Sequence, residues 1–345
     1  MSDIQDKPTM VQDEHVSTKP RRRGGCVGHC LKLWWVYLIL LIVIVVIAVP
    51  VILLVIVPKI AQSKLDDAEL SIQGIRMMNS QAQNFTMSIN STILSDGKIK
   101  ATIDGFPGKM YLEDYHDHTP FAIIDFPATT ADAEQVVNVT QFTQINDVAA
   151  FTAFNTFLLM NDTFRVTVEG DTFVTVHGIA RRYPVTFKKI VTLPGLRLFA
   201  GTTVFNTSIS LTPDERGNNF KGKTRIPNHS LVTFEIGNTT FHNYLLGNEV
   251  GTVYIDDLTL IPGDGNVFDM RATIENTPVL NTVQEKPYCE DGNVPFQLRG
   301  KNVTNHGQYL SYFADALAAG NQTIEINIGD SIEKLVGNRP TCKTT

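Results

Sequence analysis

The sequence predicts a mainly β protein: two tandem antiparallel β-sandwich domains, each with a short helix, after one N-terminal transmembrane helix. Three observations carry this expectation. Residues 34–57 form an uncharged apolar run. Beyond them, short segments alternate apolar and polar residues at period two, as half-buried strands do. An amphipathic helical stripe also recurs after 158 residues.

Residues 1–33 carry six basic and four acidic residues. Their polar composition, with Pro8 and Pro20, predicts a disordered tail. The cluster PRRRGG sets topology or meets anionic headgroups of the nearby leaflet. Cys26 and Cys30, in CVGHC, are expected S-acylation acceptors because both lie beside the bilayer. With His29 they supply at most three ligands at an unusual spacing, so no metal site is expected.

The run WWVYLILLIVIVVIAVPVILLVIV has 24 residues. As a helix it measures roughly 36 Å, enough to cross a hydrocarbon core of about 30 Å with some tilt. It exceeds the apolar core of a cleaved signal peptide, about 7–15 residues, so a retained signal anchor is expected. Trp34, Trp35 and Tyr37 fit an interfacial belt, and Pro50 is expected to kink the helix. Lys19, Arg21, Arg22, Arg23 and Lys32 precede the span, whereas Lys59 and Lys64 follow it beside Asp66, Asp67 and Glu69. This asymmetry predicts a cytosolic N-terminus and a lumenal or extracellular body, residues 58–345, in a single-pass protein of the secretory route.

The sequons agree with that direction. Asn84, Asn90, Asn138, Asn161, Asn206, Asn228, Asn238, Asn302 and Asn321 each have Ser or Thr two residues on. Chance predicts about four, so glycosylation is expected at these sites. In an oxidising lumen Cys289 and Cys342 are expected to form a disulfide, two free buried thiols being the alternative. The formal charge is −6, the tail holds about +2 and the span none, so the body carries −8. So acidic a body excludes nucleic acid as a partner, which would need basic surface.

Within the body, FRVTV (164–168), TFVTV (172–176), FDMRATI (268–274) and TIEINI (323–328) read as strands. SDG (95–97), LPG (193–195), GNN (217–219) and PGDGN (262–266) read as turns. Residues 147–159 place Phe151, Phe154, Leu158 and Leu159 on one helical stripe. Residues 305–317 do the same with Tyr309, Tyr312, Phe313 and Leu317. Each stripe precedes a strand ending at Gly-Asp, VTVEGD (166–171) and INIGD (326–330), and each lies downstream of a similar strand, INSTI (89–93) and IPNHSL (226–231). The expected domains are therefore 58–195 and 196–345, joined near LPGLRLF (193–199).

The second copy also carries a family likeness. A Pro/Asn turn (Pro227, Asn228) opens a strand, followed by a hairpin at Gly247 and Gly251 and a Pro-Gly turn at Pro262, Gly263 and Asn266. Then come Cys289, Gly292 and Pro295 and the helix with Tyr312, Ala316 and Leu317. Over about residues 200–345 this resembles a fungal family built on a domain of unknown function, similar to the late-embryogenesis-abundant type 2 domain. The first copy departs from it, with no such Pro-Gly turn and an insertion, YLEDYHDHTP. The resemblance implies a small β-sandwich anchored by one span, on vacuolar or other secretory-route membranes such as the plasma membrane. It also implies lipid held between the sheets or beside the helix.

No catalytic or nucleotide-binding motif is present, so an enzyme and a cofactor are not expected. EDYHDH (113–118) puts His116 and His118 on one side of an extended segment near Asp114, as a metal site would, but reads first as a solvated loop. Asp256 and Asp257, adjacent on a strand, should face opposite sides. Arg181 and Arg182 before Tyr183 read as a solvated turn or a phosphate contact. The expected function is a membrane-tethered module that binds lipid or another apolar ligand, lined by Phe151, Phe154, Leu158, Tyr309, Tyr312 and Phe313. The alternative is a structural or receptor-like protein that contacts another protein or the cell wall.

Overall fold

The computed structural model describes the backbone of residues 26–343 and the side chains of residues 34–343. The tail through residue 25 and the side chains of Cys26 and Cys30, where S-acylation is expected, lie outside the described residues. The chain divides into two units, which meet between Val57 and Pro58. In the first, helix α1 (Cys26–Val51) leads into a π turn at Ile52–Ile56, where the Val57 N–H donates to Ile52 O, five residues back. Pro50 and Pro58 flank this turn and have no N–H to give, so a wider turn absorbs the break in the ladder. Among the described residues one helical stretch, Trp34–Asp67, is long and apolar enough to cross a membrane, by length and composition.

The second unit opens with the rest of α2 (Val57–Asp67). It continues with β1 (Glu69–Met78), β2 (Asn84–Leu94), β3 (Ala101–Ile103), β4 (Phe106–Leu112), β5 (Ala122–Phe126), β6 (Thr129–Thr130) and β7 (Glu134–Gln144). Helix α3 (Val148–Met160) precedes the long hairpin β8 (Thr163–Val176) and β9 (Arg182–Pro194). Then follow β10 (Thr203–Ile209), β11 (Phe220–Arg225), β12 (Val232–Leu245), β13 (Asn248–Leu260) and β14 (Val267–Ile274). Helices α4 (Asn276–Val283) and α5 (Tyr288–Asp291) lead to β15 (Asn293–Asn305) and β16 (Gln308–Tyr309). Helix α6 (Ser311–Ala318), β17 (Gln322–Asn327) and α7 (Ile328–Val336) complete the chain.

The fold is mainly β, as expected. One sheet of 11 strands runs β10-β11-β14-β13-β12-β1-β2-β7, with β15 also on β12. A six-stranded sheet runs β5-β4-β8-β3-β6, with β9 on the far side of β8. Pairing is antiparallel except between β1 and β12, which run parallel. That exception joins the two expected copies within one sheet. β12 gives one edge to β13 and divides the other: Val232–Phe234 pair with β1, and Asn238–Leu245 pair with β15. At the division Gly237 has φ +93°, and a Cβ there would lie 2.6 Å from Thr304 O. The Glu235 carboxylate accepts from Asn79 N–H and from Asn305 Nδ2, with His306 Nε2 at 3.2 Å.

Several local expectations change in the folded chain. FRVTV and TFVTV are one strand, because Glu169, Gly170 and Asp171 pair with β9 without a break. IPNHSL is a buried turn, with Asn228 bridged to Gly263, and β12 begins only at Val232. INIGD continues into α7, whose N-cap Asn327 accepts from Asp330 N–H. The junction at 193–199 is packed: Leu196 N–H donates to Leu158 O, and Arg197, Leu198 and Phe199 turn left-handed at φ 51, 52 and 56°. The expected Cys289–Cys342 disulfide is present and ties α5 to the C-terminal segment.

Across the two halves α3 packs on α6. Phe151 is fully buried, with ring centroids 5.1 Å from Phe85 and 4.8 Å from Tyr312. Truncating it empties the seam between the halves. Phe151→Ala is expected to cost about 3–5 kcal/mol and to lower the urea midpoint in a single transition, because both halves share this core. Cys342→Ser opens a cross-link spanning 53 residues and is expected to cost about 2–4 kcal/mol by the same titration.

Candidate functional site

The two aromatic stripes come together, but they enclose almost no space. Phe154, Leu158, Tyr312 and Phe313 are buried with Phe151 in one filled interior. Tyr309 departs from the expected stripe: it sits on β16, two residues before α6 begins, and is 51% exposed. A cavity beside Leu158, Phe199, Phe234 and Phe313 holds about 20 Å³. A second, among Val253, Met270 and Phe296, is equally small. Each has the room of about one water, not of an acyl chain. The Tyr312 hydroxyl donates to Gln81 O at 2.8 Å, and burial raises its pKa. Apart from Tyr309, the side chains expected to line a ligand site close the core.

The open volume lies elsewhere. A groove of about 450 Å³ runs between β1 and β9, walled by Ala68–Ile72, Lys189–Leu193 and Leu231. Its origin is in the strand pairing. Among the described residues β9 pairs with β8 alone. β1 meets β12 only at Ile75, Arg76 and Met77, so its earlier residues have no ladder on that side. A register shift between Ile72 and Gly74 keeps Leu70, Ile72, Ile75 and Met77 on the core face despite their spacing. Ile75 and Met77 are buried there, whereas Leu70 and Ile72 beside the groove are half-buried. Across the groove Val191 is half-buried too.

Lys189 occupies an inward position on β9, in the series Tyr183, Val185, Phe187, Lys189, Val191 and Leu193. Its Nζ donates to Asp66 O at 2.8 Å and to Ala68 O, at the end of α2. Burial pulls its pKa down, opposed by the nearby Asp66 and Asp67. The sequence analysis passed over this groove. A signal was present: a lysine interrupting the apolar row of a strand marks an edge.

The remaining candidates are placed as follows. Asn90 and Asn138 face each other across β2 and β7, both exposed. Asn206, Asn238 and Asn321 are also exposed, and Asn84, Asn161 and Asn302 are half-buried. Asn228 stands apart from these. It is 2% exposed, its Nδ2 donates to Val232 O at 2.8 Å, and its Oδ1 accepts from Ser230 N–H and Oγ–H. The amide that would carry a glycan is consumed by the turn. In EDYHDH, Glu113 accepts from Thr167, Asp114 pairs with Arg165, and His118 Nε2 lies 3.0 Å from Glu113 O, in a surface turn. Asp256 and Asp257 are both exposed, because a bulge with Asp257 at φ 50° turns both outward. Arg182 pairs with Asp104 and stacks 4.6 Å from the Phe173 ring, whereas Tyr183 is buried.

A family described as a protein of unknown function (DUF3712) matches residues 119–243, from just before β5 to within β12. The matched stretch spans the 195/196 junction. No curated protein matches the sequence. Two structures of a bacterial adhesin from Mobiluncus mulieris, containing intramolecular disulfide, isopeptide and ester bond cross-links, align at 9% identity with a TM-score of 0.19. They cover 80% of this chain and 96% of the adhesin chain in one space group, and 75% and 98% in the other. A score that low establishes no common fold.

The burial of Asn228 separates it from the exposed sequons. On expression in a secretory host, Asn228→Gln is expected to leave the number of glycans unchanged and to cost about 1–3 kcal/mol, through buried partners left unpaired. Asn90→Gln is expected to remove one glycan and to change stability by less than about 0.5 kcal/mol. Deglycosylation mass shifts and urea titration read both outcomes.

Proposed function

We propose that the chain is a single-pass type II membrane glycoprotein with a receptor-like, non-enzymatic binding body. In this proposal the N-terminus is cytosolic, and the body is lumenal or extracellular, on the vacuolar or plasma membrane. The kinship with fungal late-embryogenesis-abundant type 2 domains belongs to the same proposal. Its ligand docks on the body's strand edges, not between the sheets. One observation carries this: the aromatic interior is filled, with cavities of about 20 Å³, while a groove of about 450 Å³ stands open between β1 and β9.

Two further features support it. None of the residues lining the groove is a sequon asparagine, so glycans on the exposed sequons leave its wall unmodified. The carboxylates Asp114 and Asp256 are taken up by surface pairs with Arg165 and Arg271. Lipid is the second possibility, and Leu70, Ile72 and Val191 are what favour it, since they give the groove an apolar wall.

Native mass spectrometry distinguishes the two. Residues 58–345 form one compact unit, and the measurement is made on this unit secreted from a host and purified without detergent. The expected result is a glycosylated protein whose mass carries no stoichiometric lipid, before or after incubation with liposomes. A lipid bound one-to-one would reverse the order of the two possibilities.

A further inference from the structure

We infer that the β1–β9 groove takes up an extended polypeptide segment of a partner protein, added as a strand along the unpaired side of β1. The inference rests on the binding role proposed above and supplies its ligand class.

The geometry points to a strand because the groove continues a lane that a strand already occupies. β12 runs parallel to β1 and pairs with it at Ile75, Arg76 and Met77. Backwards from Val232 the chain leaves that lane: Leu231 lines the groove, and Asn228 is held against Gly263. Below Leu231 the lane beside β1 holds no strand among the described residues: the unpaired edge of β9 forms its other wall, and the Lys189 side chain closes its Ala68 end. Main-chain N–H and C=O groups along such an edge are matched by another extended main chain, which supplies donors and acceptors at the same repeat. Residues Glu69–Gln73 span about 16 Å, the length of roughly five extended residues.

The side chains state the partner's chemistry. Leu70, Ile72 and Val191 face the core yet are only half-buried, whereas Ile75 and Met77 on the same face of β1 are covered. An incoming strand with apolar residues at alternate positions would complete this wall. Its other face would lie beside Ser71, Ile190 and Thr192, of which Ile190 and Thr192 are exposed, and would be polar or mixed. Lys189, held by the carbonyls of Asp66 and Ala68, protects the edge from indiscriminate pairing, as lysines on edge strands do.

The test uses the full chain in phosphatidylcholine nanodiscs. A random decapeptide phage library is selected on it after depletion on empty nanodiscs. Enriched peptides are synthesised in two forms, unmodified and N-methylated at alternate amides. Hydrogen exchange is then followed at residues 69–73 and 189–193. The expected result is enriched sequences that alternate apolar and polar residues. The unmodified form should slow exchange in both segments at least tenfold, and the methylated form should bind at least tenfold more weakly. Equal binding of both forms, with the groove protected, would overturn strand addition while leaving the groove as a ligand site. Protection that appears without peptide and grows with protein concentration would assign the lane to a second copy and overturn the partner segment. Enriched peptides that leave both segments unprotected, or no enrichment, would overturn strand addition; if native mass spectrometry also finds no ligand, the binding role fails with it.

Discussion

The divided edge of β12 is the constraint on which the rest of the body depends. A strand has two edges, and β13 takes one of them from Phe234 to Leu245. β1 and β15 must therefore share the other, and they meet it on either side of Glu235 to Gly237. Two strands cannot reach one edge side by side without a local break in the ladder. Gly237 supplies the break through a backbone conformation that side-chain-bearing residues rarely adopt, at a point where a Cβ would strike Thr304. Glu235 closes the gap by accepting from both sides, Asn79 at the end of β1 and Asn305 at the end of β15. The same seam is reinforced by Tyr312 on Gln81 and by Asn305 on Ser80. Specific polar contacts of this kind fix register more than they add net stability.

The filled interior and the open groove both follow from that division. With β15 on the later part of β12, α6 is carried across the sheet to α3, and the aromatic rings of both halves interlock. With β1 confined to the first three residues of β12, its preceding residues are left beside a lane that holds no strand among the described residues. One pairing choice therefore closes the space that an apolar ligand would need and opens a slot at the strand edges. Most of the ion pairs lie on the surface, where each contributes little, so the scaffold is held by burial and strand pairing.

Legibility from sequence varied with the range of the interaction. Helix α3 was readable because Phe151, Phe154 and Leu158 recur at helical spacing and Asp147 caps its start. The Asn266 turn was readable from its Pro-Gly residues, and the fold confirms it: Asn266 bonds to both Ile261 N–H and Ile261 O. The second stripe was only half right, since Tyr309 shares the spacing but is drawn into β16 by pairing with Thr304. The opposed faces expected for Asp256 and Asp257 failed because period two assumes an unbroken ladder, and a bulge intervenes. Asn228 shows the same limit for a modification motif: three residues define a sequon, but burial is decided by distant partners such as Gly263 and Leu260.

The sequence by itself determined the apolar span, the strand-rich composition of the body, helix α3, the turns and the cysteine pair. Each of these depends on residue types and spacings within a short stretch or, for the cysteines, on there being one pair in the body. The tertiary structure alone decided that β1 runs parallel to β12, that the aromatic stripes fill one another's space, and that the groove lies where a strand is missing. Backbone hydrogen bonds are nearly alike at every residue, so a strand's spacing records which face is buried and not which edge it will pair with. That choice is made among elements more than 150 residues apart in the chain, Ile75 with Val232 and Phe151 with Tyr312.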